Sequence, residues 1–237
     1  MKVSSLTDIG LVRPYNQDQS LVKRYPDGSL LAAVADGLSS QPAGDRAALI
    51  AIGCVADFVP DPSKLQSQLH RLFHRCDEKI QQTAVEEPSL ENMATTLTVA
   101  LVISETVHWA HVGDCRLYLC RGEEFLQITQ DDTLAGFYVA TGKLTKEEAR
   151  KDSSRHGLFE CLGRGDAEVK TGSFAVKQGD LLLLSSDGLH DHISEEFMHS
   201  ILKASELDLN TKLEQLIRVS KKEEGSDDNL TAICIKI

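Results

Sequence analysis

The chain of 237 residues carries 25 Lys and Arg against 36 Asp and Glu, a formal net charge of −11 at pH 7. Such an acidic chain, with no basic stripe, excludes a nucleic-acid partner, whose phosphates are held by clustered Lys and Arg, and it disfavours anionic membrane surfaces. No apolar run approaches the ~18 residues needed to span a bilayer, and Met1-Lys2-Val3-Ser4-Ser5 lacks the apolar region of a signal peptide, so a cytoplasmic protein with no membrane partner is expected. The length suits one large β-containing domain, residues 1-237.

Residues 2–10 read as a first strand that closes at Gly10. A loop containing Arg13, Asn16 and Asp18 leads to a second strand at 19–24, and a hairpin at 26–29 leads into Leu30-Leu31-Ala32-Ala33-Val34-Ala35-Asp36-Gly37. Asp-Gly is a common hairpin turn. After Asp36-Gly37, however, no strand returns, and the Ala-rich stretch at 45–58 reads as helix. A second helix at about 62–83 places Leu65, Leu69, Leu72, Phe73, Cys76 and Ile80 at core spacing. His70 and His74 on that helix stand four apart, but no third ligand lies nearby, so a surface role is expected.

From Ala94 the pattern switches to strands at 94–103, 107–112, 116–120 and 124–128, expected to form one antiparallel meander with His108 and His111 in structural roles. Residues 129–166 form a polar excursion with Asp131-Asp132-Thr133, a helix opening at Thr145 with Glu148 in capping-box spacing, and several glycines. Such a segment beside a β core carries specificity more often than stability. Strands at 168–176 and 181–186, helices at 194–204 and 210–222, and a final strand at 229–237 complete the chain, with Lys221-Lys222-Glu223-Glu224 as a solvated helix end. The six cysteines, Cys54, Cys76, Cys115, Cys120, Cys161 and Cys234, show no C-x-x-C pair and read as buried thiols of a reducing compartment rather than disulfides or zinc ligands.

Asp36, Asp114, Asp187 and Asp228 all sit at strand ends, far apart in sequence. Were they to converge on one edge of a β core, they would repel one another unless cations neutralised them, and all-oxygen ligands select Mg²⁺ or Mn²⁺ over zinc. Beside such a site, the guanidinium of Arg13 is suited to clamp a phosphate in bidentate fashion.

Arg13 with Asn16-x-Asp18, Val34-Ala35-Asp36-Gly37, Thr95-Thr96-Leu97, His111-Val112-Gly113-Asp114-x-Arg116-x-Tyr118, Ser186-Asp187-Gly188-Leu189 and Asp228-Asn229 together resemble the metal-dependent Ser/Thr protein phosphatases of type 2C, in that family's order and over nearly the whole chain. The compact bacterial form, a catalytic domain alone, is the nearest pattern. The resemblance implies an α+β fold, a four-layer αββα sandwich of two antiparallel β-sheets flanked by helix pairs, with the metal centre at one end and 129–166 as a flap. It implies that Asp36 bridges two Mn²⁺ or Mg²⁺ ions, that Gly37 offers its carbonyl to one, that Asp187 and Asp228 ligate the other, and that Asp18 holds a metal-bound water. Asp114, with Asp187, matches a third and weaker metal site, and Arg13 matches the phosphate-binding arginine.

The implied reaction is hydrolysis of phosphoserine and phosphothreonine in proteins by a water bridging two metal ions, opposing a bacterial Ser/Thr kinase, with the enzyme a monomer. The sequence departs from the family's usual pattern in three places. Leu38 directly follows Asp36-Gly37 where some relatives continue into a histidine used as general acid, Asp132 stands where a histidine is common, and Cys115 replaces a usual serine. Two alternatives stay open at this stage: a non-catalytic pseudophosphatase that binds phosphoprotein, and a phosphatase acting on a single substrate in a partner-switching cascade.

Overall fold

The computed structural model describes residues 1–38, 43–223 and 227–237, the side chains of residues 222 and 223 excepted. Residues 39–42 of the loop after Gly37, and Glu224 at the expected helix end, lie outside the described residues. In chain order the elements are β1 (Lys2–Asp8), β2 (Asp18–Arg24), β3 (Leu30–Asp36), α1 (Gly44–Ala56), α2 (Leu65–Glu86), β4 (Leu97–Ile103), β5 (Thr106–Val112), β6 (Arg116–Arg121), β7 (Glu124–Gln127), α3 (Leu134–Ala140), α4 (Lys146–Lys151), β8 (Lys170–Ala175), β9 (Leu181–Ser185), α5 (Asp187–His190), α6 (Glu195–Lys203), α7 (Leu209–Glu223) and β10 (Leu230–Lys236). Single 3₁₀ turns cover Pro88–Leu90 and Ser153–His156. No helix among the described residues is long and apolar enough to cross a membrane.

These elements divide into two compact units. The first comprises Gln17–Cys115 and Glu160–Val176, and the second Met1–Asn16, Arg116–Phe159 and Lys177–Ile237. Each has its own five-stranded antiparallel sheet, in the order β2-β3-β4-β5-β8 for the first unit and β1-β10-β9-β6-β7 for the second. The expected α+β composition, two antiparallel sheets with accompanying helices, is what the chain adopts.

In the first unit β3 is apolar on both faces, and every residue from Leu30 to Ala35 is fully buried, as a near-continuous apolar run requires. The alternate positions Leu31, Ala33 and Ala35 share a core with Ala47, Ala48, Ala51 and Val55 of α1 and with Leu65, Leu69, Leu72, Phe73, Cys76 and Ile80 of α2. The small side chains of α1 let that helix lie close to the strands. All of the α2 positions read from the 3.6-residue period are buried, whereas His70 and His74 are exposed with their rings 4.5 Å apart, in keeping with a surface role.

In the second unit, Tyr118, Leu183, Ala232 and Cys234 from the sheet share a core with Met198 and Leu202 of α6 and Leu213, Leu216 and Ile217 of α7. All six cysteines are free thiols and buried, as expected.

Two expectations need correction. The strands at 94–128 do not form one meander. β5 pairs with β4 on one side and with β8 on the other, from Thr106↔Ala175 to His111↔Lys170, while β6 pairs with β7 and β9 in the other sheet. The break falls at Gly113, whose φ of +104° and whose approach to Thr96, 2.5 Å from where a Cβ would stand, admit no other residue. An apolar run such as 107–112 fixes its own face pattern but not its partner, which here lies far downstream. Nor is the end of α7 wholly solvated, because the Nζ of Lys221 pairs with both carboxylate oxygens of Asp8 at 2.9 Å.

Lys212, only 4% exposed, closes the C-terminal end of α6 by donating to the carbonyls of Ile201 (3.0 Å) and Ala204 (2.6 Å) as well as that of Leu202. Lys212→Met leaves these acceptors without their donor. It should lower the unfolding free energy by about 1–3 kcal/mol in urea titrations, and an unchanged midpoint would contradict this account of the cap.

Candidate active site

Of the candidate residues, the first unit holds Asp18, Asp36, Gly37 and Asp114. Asp18 opens β2 and Asp36 closes β3, and the antiparallel register sets them directly opposite each other. Asp18 is 3% exposed. Beside them lies the Cys115 thiol, raised well above its ordinary pKa first by complete burial and then by the negative charges of Asp36, Asp114 and Asp18. The charges of three carboxylates thus bear on one buried thiol.

The Asp36-Gly37 corner is held by backbone geometry. Thr95 Oγ1 and the Thr96 N–H both donate to the Asp36 carbonyl, at 2.8 and 2.9 Å, and the Gly37 N–H donates to the Gln17 carbonyl at 3.2 Å. Gly37 faces the start of α1 so closely that a Cβ there would stand 2.2 Å from the Gly44 carbonyl. The turn carrying Asp114 is tied down by Thr98 Oγ1, which donates to the Cys115 carbonyl at 2.7 Å and meets Nδ1 of the buried His111 at 2.8 Å. His111 therefore has the structural role expected of it. Thr96 Oγ1 touches the Cys115 sulfur at 3.2 Å.

The second unit holds Arg13, Asp187 and Asp228. Asp187 begins the short α5 immediately after β9. The following Gly188 packs on the chain at Asp228-Asn229, where a Cβ would stand 2.0 Å from the Asn229 carbonyl oxygen and 3.4 Å from the Asp228 Cβ. This brings the Asp187 and Asp228 backbones together. Arg13 does not stand apart from the acids. Its Nη2 donates to Asp228 Oδ2 at 2.7 Å and its Nε to the Asp227 carbonyl at 3.1 Å.

Asn229 secures that loop, its side-chain amide donating to the carbonyls of Ile9 (2.9 Å) and Tyr15 (3.2 Å). Sequence reasoning used Asn229, Thr95 and Thr96 only as motif letters. Their positioning roles depend on contacts with residues up to 220 positions away, and the only signal was their adjacency to the acids.

The polar excursion at 129–166 holds α3, α4 and the turn Ser153–His156, and the predicted capping box is present, with Thr145 and Glu148 bonded reciprocally. Its base is anchored within the second unit by Arg116, which grips both oxygens of Asp131 through Nε at 2.8 and 3.0 Å. A cavity of about 260 Å³ lies against Arg116, Asp131, Val139, Arg155 and Asp191. Burial lifts the Asp191 carboxyl above the usual range although the Arg116 guanidinium pulls it down. Asp132 is buried.

Cross-strand carboxylates destabilise one another unless a cation stands between them, and an all-oxygen donor set fits a hard divalent ion. Among the described residues no three His, Cys, Asp or Glu side chains are grouped as a ready ligand cage. An ion held by Asp36 and Gly37 would take its remaining ligands from backbone carbonyl and water, as is usual for Mg²⁺.

Comparison with known proteins gives the same direction. A family profile described as protein phosphatase 2C matches residues 14–233. Protein phosphatase PhpP of Streptococcus pneumoniae is 31% identical over 100% of this chain and 98% of its own length. The serine/threonine phosphatase PstP/Ppp of Mycobacterium tuberculosis superposes with a TM-score of 0.89 at 31% identity, covering 100% of this chain and 98% of that one. A structure of the catalytic domain of PstP in complex with two manganese ions gives a TM-score of 0.86 at 31% identity, over 98% of this chain and 96% of that one. The chain belongs to the protein phosphatase 2C family.

Proposed function

We propose that this chain, a protein Ser/Thr phosphatase by family, hydrolyses phosphoserine and phosphothreonine in proteins using Mn²⁺ or Mg²⁺. Its substrates would be proteins phosphorylated by a Ser/Thr kinase. The observation that carries the metal reading is the cross-strand pairing of Asp18 with Asp36, which leaves like charges in want of a cation. The two manganese ions in the complex of the PstP catalytic domain support it.

On this reading Asp36 and the Gly37 carbonyl, with Asp187 and Asp228, hold two ions, Asp18 holds water beside them, and Asp114 with Asp187 serves a third and weaker position. The two units would then act as one catalytic domain. Bound divalent ions would lower the pKa of water enough to supply hydroxide near neutral pH and would neutralise charge on the phosphoryl oxygens.

The chain's own residues do the rest. Asp18, buried and opposite Asp36, would accept a proton of the attacking water in a hydrogen bond and so aim its lone pair. Arg13 would turn its guanidinium to the phosphoryl oxygens, exchanging one anionic partner, Asp228, for another. Thr95 and Thr96 fix the backbone of Asp36, so the corner that would hold the ions is set before substrate arrives. Leu38 follows Gly37 and cannot protonate the leaving group.

Purified protein should hydrolyse p-nitrophenyl phosphate and a phosphothreonine peptide with Mn²⁺ or Mg²⁺ and lose that activity in EDTA. Asp36→Asn should stay folded and lose at least about 100-fold in kcat, whereas wild-type turnover by this variant would show that the site is assigned wrongly. Arg13→Ala should raise KM about tenfold or more with a smaller change in kcat, since the guanidinium contributes a charge-assisted contact to substrate. An unaltered KM would remove Arg13 from the phosphate site. A folded, metal-binding protein that turns over neither substrate would favour the pseudophosphatase or the single-substrate enzyme.

A further inference from the structure

Asp77 lies in the middle of α2, 4% exposed, on the helix face that also buries Cys76 and Ile80. An apolar residue would be cheaper to bury there. The carboxylate is instead satisfied by a turn from a distant part of the first unit. Its Oδ1 accepts the N–H of Gly163 at 2.5 Å and that of Gly165 at 3.2 Å, and its Oδ2 accepts the side-chain amide of Gln81 at 3.0 Å. Both glycines are left-handed, with φ of +114° and +93°, and the turn packs on the helix, since a Cβ on Gly163 would stand 3.0 Å from the Ile80 Cγ2 of α2.

The residue before this turn reaches the candidate metal site through Thr95. Leu162 exchanges two hydrogen bonds with Thr95, its N–H donating at 2.8 Å and its carbonyl accepting at 3.1 Å. Thr95 in turn bridges Gly37 and donates its hydroxyl to the Asp36 carbonyl at 2.8 Å. The adjoining Ala94 carbonyl accepts the Leu38 N–H at 3.0 Å. The corner that presents Asp36 and Gly37 is thus clasped on one side by the start of α1 and on the other by a chain running through Thr95 and Leu162 to the Gly163–Gly165 turn.

We propose that Asp77 is a positioning residue for the Asp36-Gly37 metal corner, acting by fixing the Gly163–Gly165 turn and, through Leu162 and Thr95, the direction of the Gly37 carbonyl. This rests on the reading of Asp36 and Gly37 as metal ligands. Outer partners that orient ligands set metal affinity, and because coupling is reciprocal, metal binding must also tighten the turn.

Calorimetric titration of Mn²⁺ into the metal-free full chain tests the proposal. Asp77→Ala should bind Mn²⁺ about tenfold more weakly than wild type, with kcat recovering at saturating Mn²⁺. Asp77→Asn, whose Oδ1 can accept both glycine N–H groups, should retain wild-type affinity. Leu69→Ala opens a cavity on the same helix and should lower the thermal midpoint without weakening Mn²⁺ binding. Wild-type affinity in Asp77→Ala would overturn the proposal, as would equal weakening in Leu69→Ala, because Asp77 would then act only through global stability. Failure of the wild type itself to bind Mn²⁺ would overturn the metal reading on which the proposal stands. Should Asp77→Ala not fold, amide exchange in the wild type decides. Saturating Mg²⁺ should slow exchange at Gly163 and Gly165 several-fold, and unchanged exchange there would overturn the proposal.

Discussion

The pairing of Asp18 with Asp36 across adjacent strands is the constraint on which the site depends. Two carboxylates face each other in antiparallel register, with Asp114 close enough that all three raise the pKa of the same buried thiol. In the absence of a cation this arrangement costs stability. A structure that holds it in place must be rigid for other reasons, and the surrounding backbone provides that rigidity.

The rigidity comes from elements with little freedom. β3 is buried along its whole apolar length, so its end cannot slide without moving every side chain to the wrong face. Thr95 and Thr96, just ahead of β4, hold the Asp36 carbonyl, and Gly37 abuts the first turn of α1. In the second unit the same logic recurs with different parts. Gly188 packs on Asp228-Asn229, and Asn229 anchors the loop from which Arg13 reaches Asp228. In both units the acid stands at a strand end while the neighbouring residues, small or amide-bearing, make the close backbone contacts.

Much of this was legible in the sequence. The apolar run ending in Asp36-Gly37, the helical spacing of Leu65, Leu69, Leu72, Phe73, Cys76 and Ile80, and the Thr145–Glu148 capping box are local patterns, and each is present as read. The partner of β5 was not legible. Val107 to Val112 would suit either a meander or a sheet with β8, and Gly113 alone hinted that the chain leaves the sheet there. The ion pair of Arg13 with Asp228, and the grip of Asp77 on Gly163 and Gly165, escaped for a similar reason. They join residues 215 and about 90 positions apart, and no periodicity encodes such contacts.

The account comes down to whether carboxylates drawn from separate stretches of chain hold divalent ions together. Anomalous diffraction from crystals of the protein grown with Mn²⁺ measures this most directly. Two manganese peaks, bridged by Asp36, with the Gly37 carbonyl on one ion and Asp187 and Asp228 on the other, are the predicted result. Manganese absent from these residues, or ordered elsewhere on the chain, would contradict it.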